Sequence, residues 1–209
     1  MEERGEPQVG VPPGDAAGVE LEHLVLASSS PRRAEILRAV GWPFEAVAAN
    51  VDETARAGEE VSEYVERLAC EKAEAVAEGR ASGLVLGADT VVAVGGQVLG
   101  KPTDAEDARR MLRLLRGRWH DVLTGVALVR AETRDVLVAH ELTRVRFAPM
   151  TDEEIVWYAA TGEPSDKAGA YGVQGRAALF IEEIEGDYWN VVGLPVRLVY
   201  KLAEESRRS

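Results

Sequence analysis

Leu24-Val25-Leu26-Ala27-Ser28-Ser29-Ser30-Pro31-Arg32-Arg33 is the stretch on which the fold turns. Its apolar start, residues 24–27, reads as a short buried strand, and the serines that follow read as a turn. Pro31 suits the first position of a helix, because the N–H it lacks would have no partner there. A buried strand that turns directly into a helix points to an α/β chain. Arg32 and Arg33 then fall in the first helical turn, where free N–H groups and a partial positive charge already sit. Helix stability does not explain cations at that end. A bound anion does, since hydroxyls, free amides and guanidinium groups converge on one spot. The stretch therefore predicts a phosphate site.

Working outward, the spacing predicts a helix over residues 31–40, with Ile36, Leu37 and Val40 as its apolar stripe and Gly41 as its stop. Residues 44–49 read as a second strand, followed by an acidic loop, Asn50-Val51-Asp52-Glu53-Thr54. A helix over 61–78 presents Val61, Tyr64, Val65, Leu68, Ala69, Ala73 and Val76 on one face. Lys72 falls on that same face. Either it snorkels out of the interface or it reaches an anion in a cleft, and the spacing leaves both open. Leu84-Val85-Leu86-Gly87-Ala88 has the near-continuous apolar character of a central strand. It delivers Asp89 and Thr90, and Val91, Val92 and Val94 continue the extended pattern, which disfavours a capping role for Asp89. Gly95-Gly96 reads as a hairpin turn.

Gly95, four residues, Gly100 and Lys101 imitate the start of a P-loop, but Pro102 stands where Ser or Thr is needed. Proline offers neither a hydroxyl for magnesium nor an amide for phosphate, so a P-loop NTPase is excluded. Lys101 remains a candidate phosphate contact from the hairpin. Thr103 and Glu106 predict a capping box for a helix with Met111, Leu112 and Leu115 inward and Gly117 at its end. Residues 119–129 and 136–147 read as an antiparallel ribbon about a polar turn. His23, His120 and His140 have no metal-ligand spacing. Thr151 and Glu154 form a second capping box for a helix to residue 160, in which Trp157 and Tyr158 read as packing residues. Asp166-Lys167-Ala168-Gly169-Ala170-Tyr171-Gly172-Val173-Gln174-Gly175 is a loop whose backbone approaches something closely. Gln174 offers both a donor and an acceptor, which suits the edge of a nucleobase. Residues 177–184 and 188–192 read as a hairpin, and Pro195 opens a terminal helix with Leu198, Val199 and Leu202 inward.

The 209 residues suit one α/β domain or two small lobes. No repeat or linker divides the chain after its first 20 residues, so residues 21–209 are expected to form a single domain. Residues 1–20, rich in Gly, Pro and acids, read as a flexible tail without the basic start and apolar centre of a signal peptide. A formal net charge of −12 argues against a nucleic-acid polymer as partner but leaves room for a small anion at a local cationic cluster. No apolar run approaches membrane-spanning length. Cys70 is the single cysteine, which fits a reducing compartment, and a cytoplasmic location is expected. The exposed ribbon suits a homodimer.

Several separated motifs now coincide. Leu26-Ala-Ser-Ser-Ser-Pro-Arg-Arg33, Val51-Asp-Glu-Thr54, Leu68-Ala-Cys-Glu-Lys-Ala73, Gly87-Ala-Asp-Thr90 with Gly100-Lys-Pro102, residues 166–175, and Val192-Gly-Leu-Pro195 stand in the order found in the Maf-like nucleotide pyrophosphatases, and the chain resembles that family throughout except in its first residues. The resemblance implies a long twisted mixed sheet flanked by helices, as in the Maf and ITPase proteins, with two lobes and a nucleotide cleft between them. It implies release of a nucleoside monophosphate and pyrophosphate from a nucleoside triphosphate with a divalent metal such as Mg²⁺, Mn²⁺ or Co²⁺. Carried over by residue, Asp89 becomes the proton acceptor, Arg33, Lys72 and Lys101 hold phosphate, Ser28 lies in the phosphate turn, and Glu53 with Asp89 holds the metal. Arg32, Thr90 and Gln174 stand at the positions that sort the family by base, in the combination of the dTTP/UTP subgroup; the 7-methyl-GTP subgroup differs there. The implied role is house-cleaning, preventing incorporation of non-standard nucleotides. The competing readings are a pyrophosphatase for modified purine nucleotides, of the 7-methyl-GTP or ITP/XTP type, and a regulatory binding protein acting in septum formation.

Overall fold

The computed structural model describes Leu21 and residues 23–208; the stretch read as an N-terminal tail lies outside the described residues. β1 (Leu24–Ala27) lies between β2 (Phe44–Val47) and β3 (Leu84–Val94) and runs parallel to both. Beyond β3 the sheet turns antiparallel. β3 pairs with β5 (Trp119–Arg130), β5 with β6 (Val136–Phe147), and β6 with β7 (Ile181–Glu185). The short β4 (Gln97–Leu99) folds back on the end of β3 through Gly95 and Gly96, both at positive φ. The result is the mixed sheet expected of an α/β chain.

Among the described residues one helix occupies one face. α2 (Val61–Ala77) packs Ala69, Ala73, Val76 and Ala77 onto Val25, Ala27, Val85, Ala127 and Val129. It comes close because two strand residues under it are glycines. A methyl on Gly87 would run into the carbonyl oxygen of Ala69, and one on Gly125 into that of Val65. The opposite face carries α1 (Pro31–Ala39) and α6 (Val196–Ser206) over Leu24, Leu26, Leu84, Leu86 and Leu128, and α3 (Ala105–Leu115) and α4 (Asp152–Ala160) over Val92, Val94, Val122 and Phe147.

The register makes a gap. β1 pairs with β3 only from Leu84 to Gly87, and β4 only from Val92 to Val94. Between them β3 has no paired strand on that side among the described residues, and Asp89 and Thr90 lie in this interval. The chain leaves β1 at the same level through Ser28 to Ser30 and enters α1. A crevice beyond the end of a parallel strand, where neighbours diverge, is where open α/β sheets bind ligands.

Some expectations are corrected. The residues read as the second arm of a hairpin, 188–192, form the short helix α5 (Tyr188–Val192). Its β-prone sequence is overridden by Asp187, whose carboxylate accepts from the N–H of Trp189 and Asn190, and by Asn190, whose buried amide donates to Val122 O and Thr143 Oγ1, both at 3.0 Å. The other arm begins as a 3-10 turn, Arg176–Phe180, before β7. The cap of α3 is Asp104, accepting from Asp107 N, one residue after the expected Thr103. Val40 is exposed rather than part of the apolar stripe of α1, and β2 ends at Val47. Trp157 is half-exposed, while Tyr158 is fully buried as a packing residue. The capping box at Thr151 and Glu154 is present as read.

Candidate active site

A cleft of about 700 Å³ opens over the gap in the sheet, and Ser28, Arg32, Arg33, Glu53, Lys72, Asp89, Thr90, Lys101 and Gln174 all line it. These residues come from six separate segments of the chain. Extended chain turns Asp89 and Thr90 to opposite faces of β3, and each belongs to a different local network.

On the α2 side, Lys72 is buried, with its ammonium 2.6 Å from Asp89 Oδ1 and 2.6 Å from Glu53 Oε1. This settles the alternative that the helix pattern left open: Lys72 reaches carboxylates in the cleft rather than snorkelling away from it. The hydroxyl of Tyr64 donates to the backbone oxygen of Glu53 at 2.8 Å and anchors the acidic loop. Burial works to raise the Glu53 carboxyl, but the hydrogen bond and charge of Lys72, with the charges of Lys101 and Arg33, outweigh it and hold the carboxyl below its usual value.

On the other side, Arg33 is buried with three neutral partners. Its Nε donates to Gly193 O at 2.9 Å, Nη1 to Ser28 Oγ at 3.2 Å and Nη2 to Thr90 Oγ1 at 3.1 Å. Among the described residues no carboxylate stands within ion-pair distance of it. Burial lowers the guanidinium's pKa, Asp89 and Glu53 raise it, and Arg32 lowers it further. The first turn of α1 has no side-chain cap at Ser30, so its amides remain open beside this cation. Thr90 Oγ1 lies 2.9 Å from Thr124 Oγ1, which donates to Asn190 O at 3.4 Å.

Arg32 points to the rim, where its Nη1 meets Asp166 Oδ2 at 2.6 Å. Lys101 is exposed just after β4 and, among the described residues, makes neither a hydrogen bond nor an ion pair. Gln174 is exposed on the glycine-rich loop. Glu163 braces that loop: its Oε1 accepts from Tyr158 OH at 2.8 Å and its Oε2 from Arg176 N at 3.0 Å. Side chains on Gly172 or Gly175 would collide with Lys167 and Glu163, which explains the glycines as close packing.

Sequence reasoning missed Tyr64, Glu163, Thr124, Asn190 and the carbonyl of Gly193. Nothing local marks these roles: each has a partner more than ten residues away, although Glu163 also meets Tyr158 and Asn190 also meets Asp187 close by in the chain. His120 Nε2 meets Tyr171 OH at 2.8 Å in the core, and His140 meets Glu66.

The chain belongs to the Maf-like proteins: the model of that family matches residues 23–206. Among curated relatives, a dTTP/UTP pyrophosphatase of Symbiobacterium thermophilum is 58% identical over 176 residues, 84% of this chain and 90% of that protein. Another dTTP/UTP pyrophosphatase, from Hahella chejuensis, is 53% identical over 83% of this chain and 87% of its own length. In three dimensions the Staphylococcus aureus Ham1 protein is similar with a TM-score of 0.53, covering 88% of this chain and 100% of that one; at 12% identity the likeness concerns the fold alone.

Proposed function

We propose that this protein is a nucleoside triphosphate pyrophosphatase that hydrolyses dTTP and UTP to the monophosphate and pyrophosphate. The relatives support the reaction and the pyrimidine substrates. The observation in the site that carries it is a pairing pattern. Lys72 is matched by two carboxylates, whereas buried Arg33 and exposed Lys101 have none among the described residues. A buried cation held only by neutral groups is costly without an anion, and a polyphosphate supplies one.

In this reading Arg33, Lys101 and the open amides of α1 bind the phosphates and stabilise charge developing on the leaving pyrophosphate. Asp89 accepts the proton of the water that attacks the α-phosphorus, and Lys72 holds that carboxylate in place. Among the described residues no three His, Cys, Asp or Glu side chains converge on one point. The two carboxylates at Lys72 still fit Mg²⁺, Mn²⁺ or Co²⁺ when phosphate oxygens complete the shell, as is usual for Mg²⁺. Glu53 and Asp89 would hold that ion, which when bound would neutralise phosphate charge. Arg32, Thr90 and Gln174 line the rest of the cleft and face the base. Their amide, hydroxyl and guanidinium groups suit the carbonyl and N–H edge of uracil or thymine.

No helix is long and apolar enough to cross a membrane among the described residues. A cytoplasmic, house-cleaning role without a nucleic-acid or membrane partner is part of the proposal. So is a homodimer, supported by β6, whose residues 136–143 have no strand partner other than β5 among the described residues and expose Val136, Val138 and Leu142.

A panel of nucleoside triphosphates with separate detection of pyrophosphate and phosphate tests the reading. Pyrophosphate release from dTTP and UTP is expected. Preference for inosine or methylguanine triphosphates would replace it with the modified-purine reading, and binding without pyrophosphate release would favour a regulatory binder.

A further inference from the structure

The cleft holds two more cations, and both are tied to one acid. Asp166 Oδ2 accepts from Arg32 Nη1 at 2.6 Å, its backbone oxygen accepts from Arg32 Nη2 at 3.1 Å, and its Oδ1 accepts from Lys167 Nζ at 2.7 Å. Lys167 donates also to Glu163 O at 2.7 Å. Arg32 and Lys167 therefore share a single carboxylate that is half-exposed at the cleft rim. Burial works to raise the Asp166 carboxyl, but the hydrogen bonds from Lys167 and Arg32 outweigh it and hold the group at about 2, so it is anionic at any physiological pH.

The cations of the cleft thus fall into two sets. Arg33 and Lys101 lack a carboxylate partner among the described residues, whereas Lys72, Arg32 and Lys167 each have one or more. A triphosphate entering such a cleft has one favourable direction. Its phosphates go to the unmatched cations, because at the rim Asp166 already offsets one of the two positive charges of Arg32 and Lys167 and occupies their donors. With one edge of its guanidinium occupied, Arg32 still has N–H groups to offer, directed at neutral carbonyl oxygens rather than at phosphate.

We infer that Asp166 is a positioning residue that orients the nucleotide by withdrawing Arg32 and Lys167 from the phosphate-binding set, leaving the base end of the cleft to a neutral ligand. This rests on the nucleotide pyrophosphatase reading. Without Asp166 the rim would become a second phosphate site, and nucleotides would also bind the wrong way round.

The test is Asp166→Asn, with inorganic pyrophosphate as the probe. Inhibition of UTP hydrolysis by pyrophosphate should tighten by on the order of tenfold, about what one added charge-assisted hydrogen bond supplies, while kcat for UTP falls. A residue with a merely structural role would weaken both. Asp166→Glu should restore ordinary pyrophosphate inhibition, and adding Arg32→Gln to Asp166→Asn should remove the extra affinity. Should the first variant fold poorly, the Asp166→Glu and Arg32→Gln proteins carry the test: Arg32→Gln alone should leave pyrophosphate inhibition unchanged, since a matched Arg32 adds nothing to phosphate binding. Unchanged pyrophosphate inhibition in a folded Asp166→Asn protein overturns the inference, as does weakened inhibition in Arg32→Gln. A wild-type protein that releases no pyrophosphate from UTP would instead overturn the functional reading on which it rests.

Discussion

Asp89 and Thr90 are neighbours on one strand and belong to opposite kinds of chemistry. The Asp89 side is ionic: a lysine on α2 sits 2.6 Å from each of two carboxylates. The Thr90 side is neutral except for one cation, Arg33, held by hydroxyls and a backbone carbonyl. A strand alternates its side chains, so one residue's step in sequence separates a site suited to proton transfer from one suited to anion binding. The contrast also assigns cost. Ions matched in place are expensive to unmatch, whereas a cation surrounded by neutral groups is expensive to keep and pointless without a ligand.

The largest expected effect breaks the ionic side. Asp89→Asn keeps the shape but removes the proposed proton acceptor, and turnover should fall by about 10²–10⁴-fold, the range for a lost general base. Steady-state pyrophosphate release measures it, and near-normal turnover would end the assignment of Asp89.

The comparison itself is sharpened by removing each cation. Lys72→Met leaves two carboxylates facing each other, one of them buried, and should lower stability by about 3–5 kcal/mol. Arg33→Met orphans only neutral acceptors and should cost about 1 kcal/mol, while kcat/KM drops on the order of 10²-fold. Urea unfolding set beside kinetics distinguishes them. Equal stability losses would mean that the two sides are not energetically different.

A further effect, on stability alone, lies behind the neutral wall. His120 is buried under Tyr171, and burial lowers its pKa to about 4 from an ordinary 6.5. The unfolded chain therefore binds a proton that the folded protein refuses between those values. Stability should fall as pH drops through that window, by about 2 kcal/mol at pH 5 relative to neutral pH. His120→Gln should flatten this dependence, read as the difference in urea midpoint between pH 7.5 and pH 5.

Much of this was legible in the chain. The serine turn, Pro31 and the arginine pair follow from local rules of helix starts, and α2 announced its buried face, Lys72 included, by its period. Turn residues and capping boxes are local too, so α4 and the β3–β4 hairpin could be read directly. The reading failed at α5, where a cap at Asp187 and the buried Asn190 overrode a β-prone sequence through partners on β5 and β6. It was also silent on pairing. Sequence by itself determined which residues are chemically able: Asp89, Lys72, Arg32, Arg33, Gln174. Only the tertiary structure decided which ions are matched and which are left open. That depends on the gap in the sheet beside β3, on the glycines that let α2 lie close, and on the loop that carries Asp166 to Arg32, 134 positions away in the chain. Side-chain chemistry is a property of single residues, whereas electrostatic matching falls off over a few ångströms and is set by neighbours that only folding brings together.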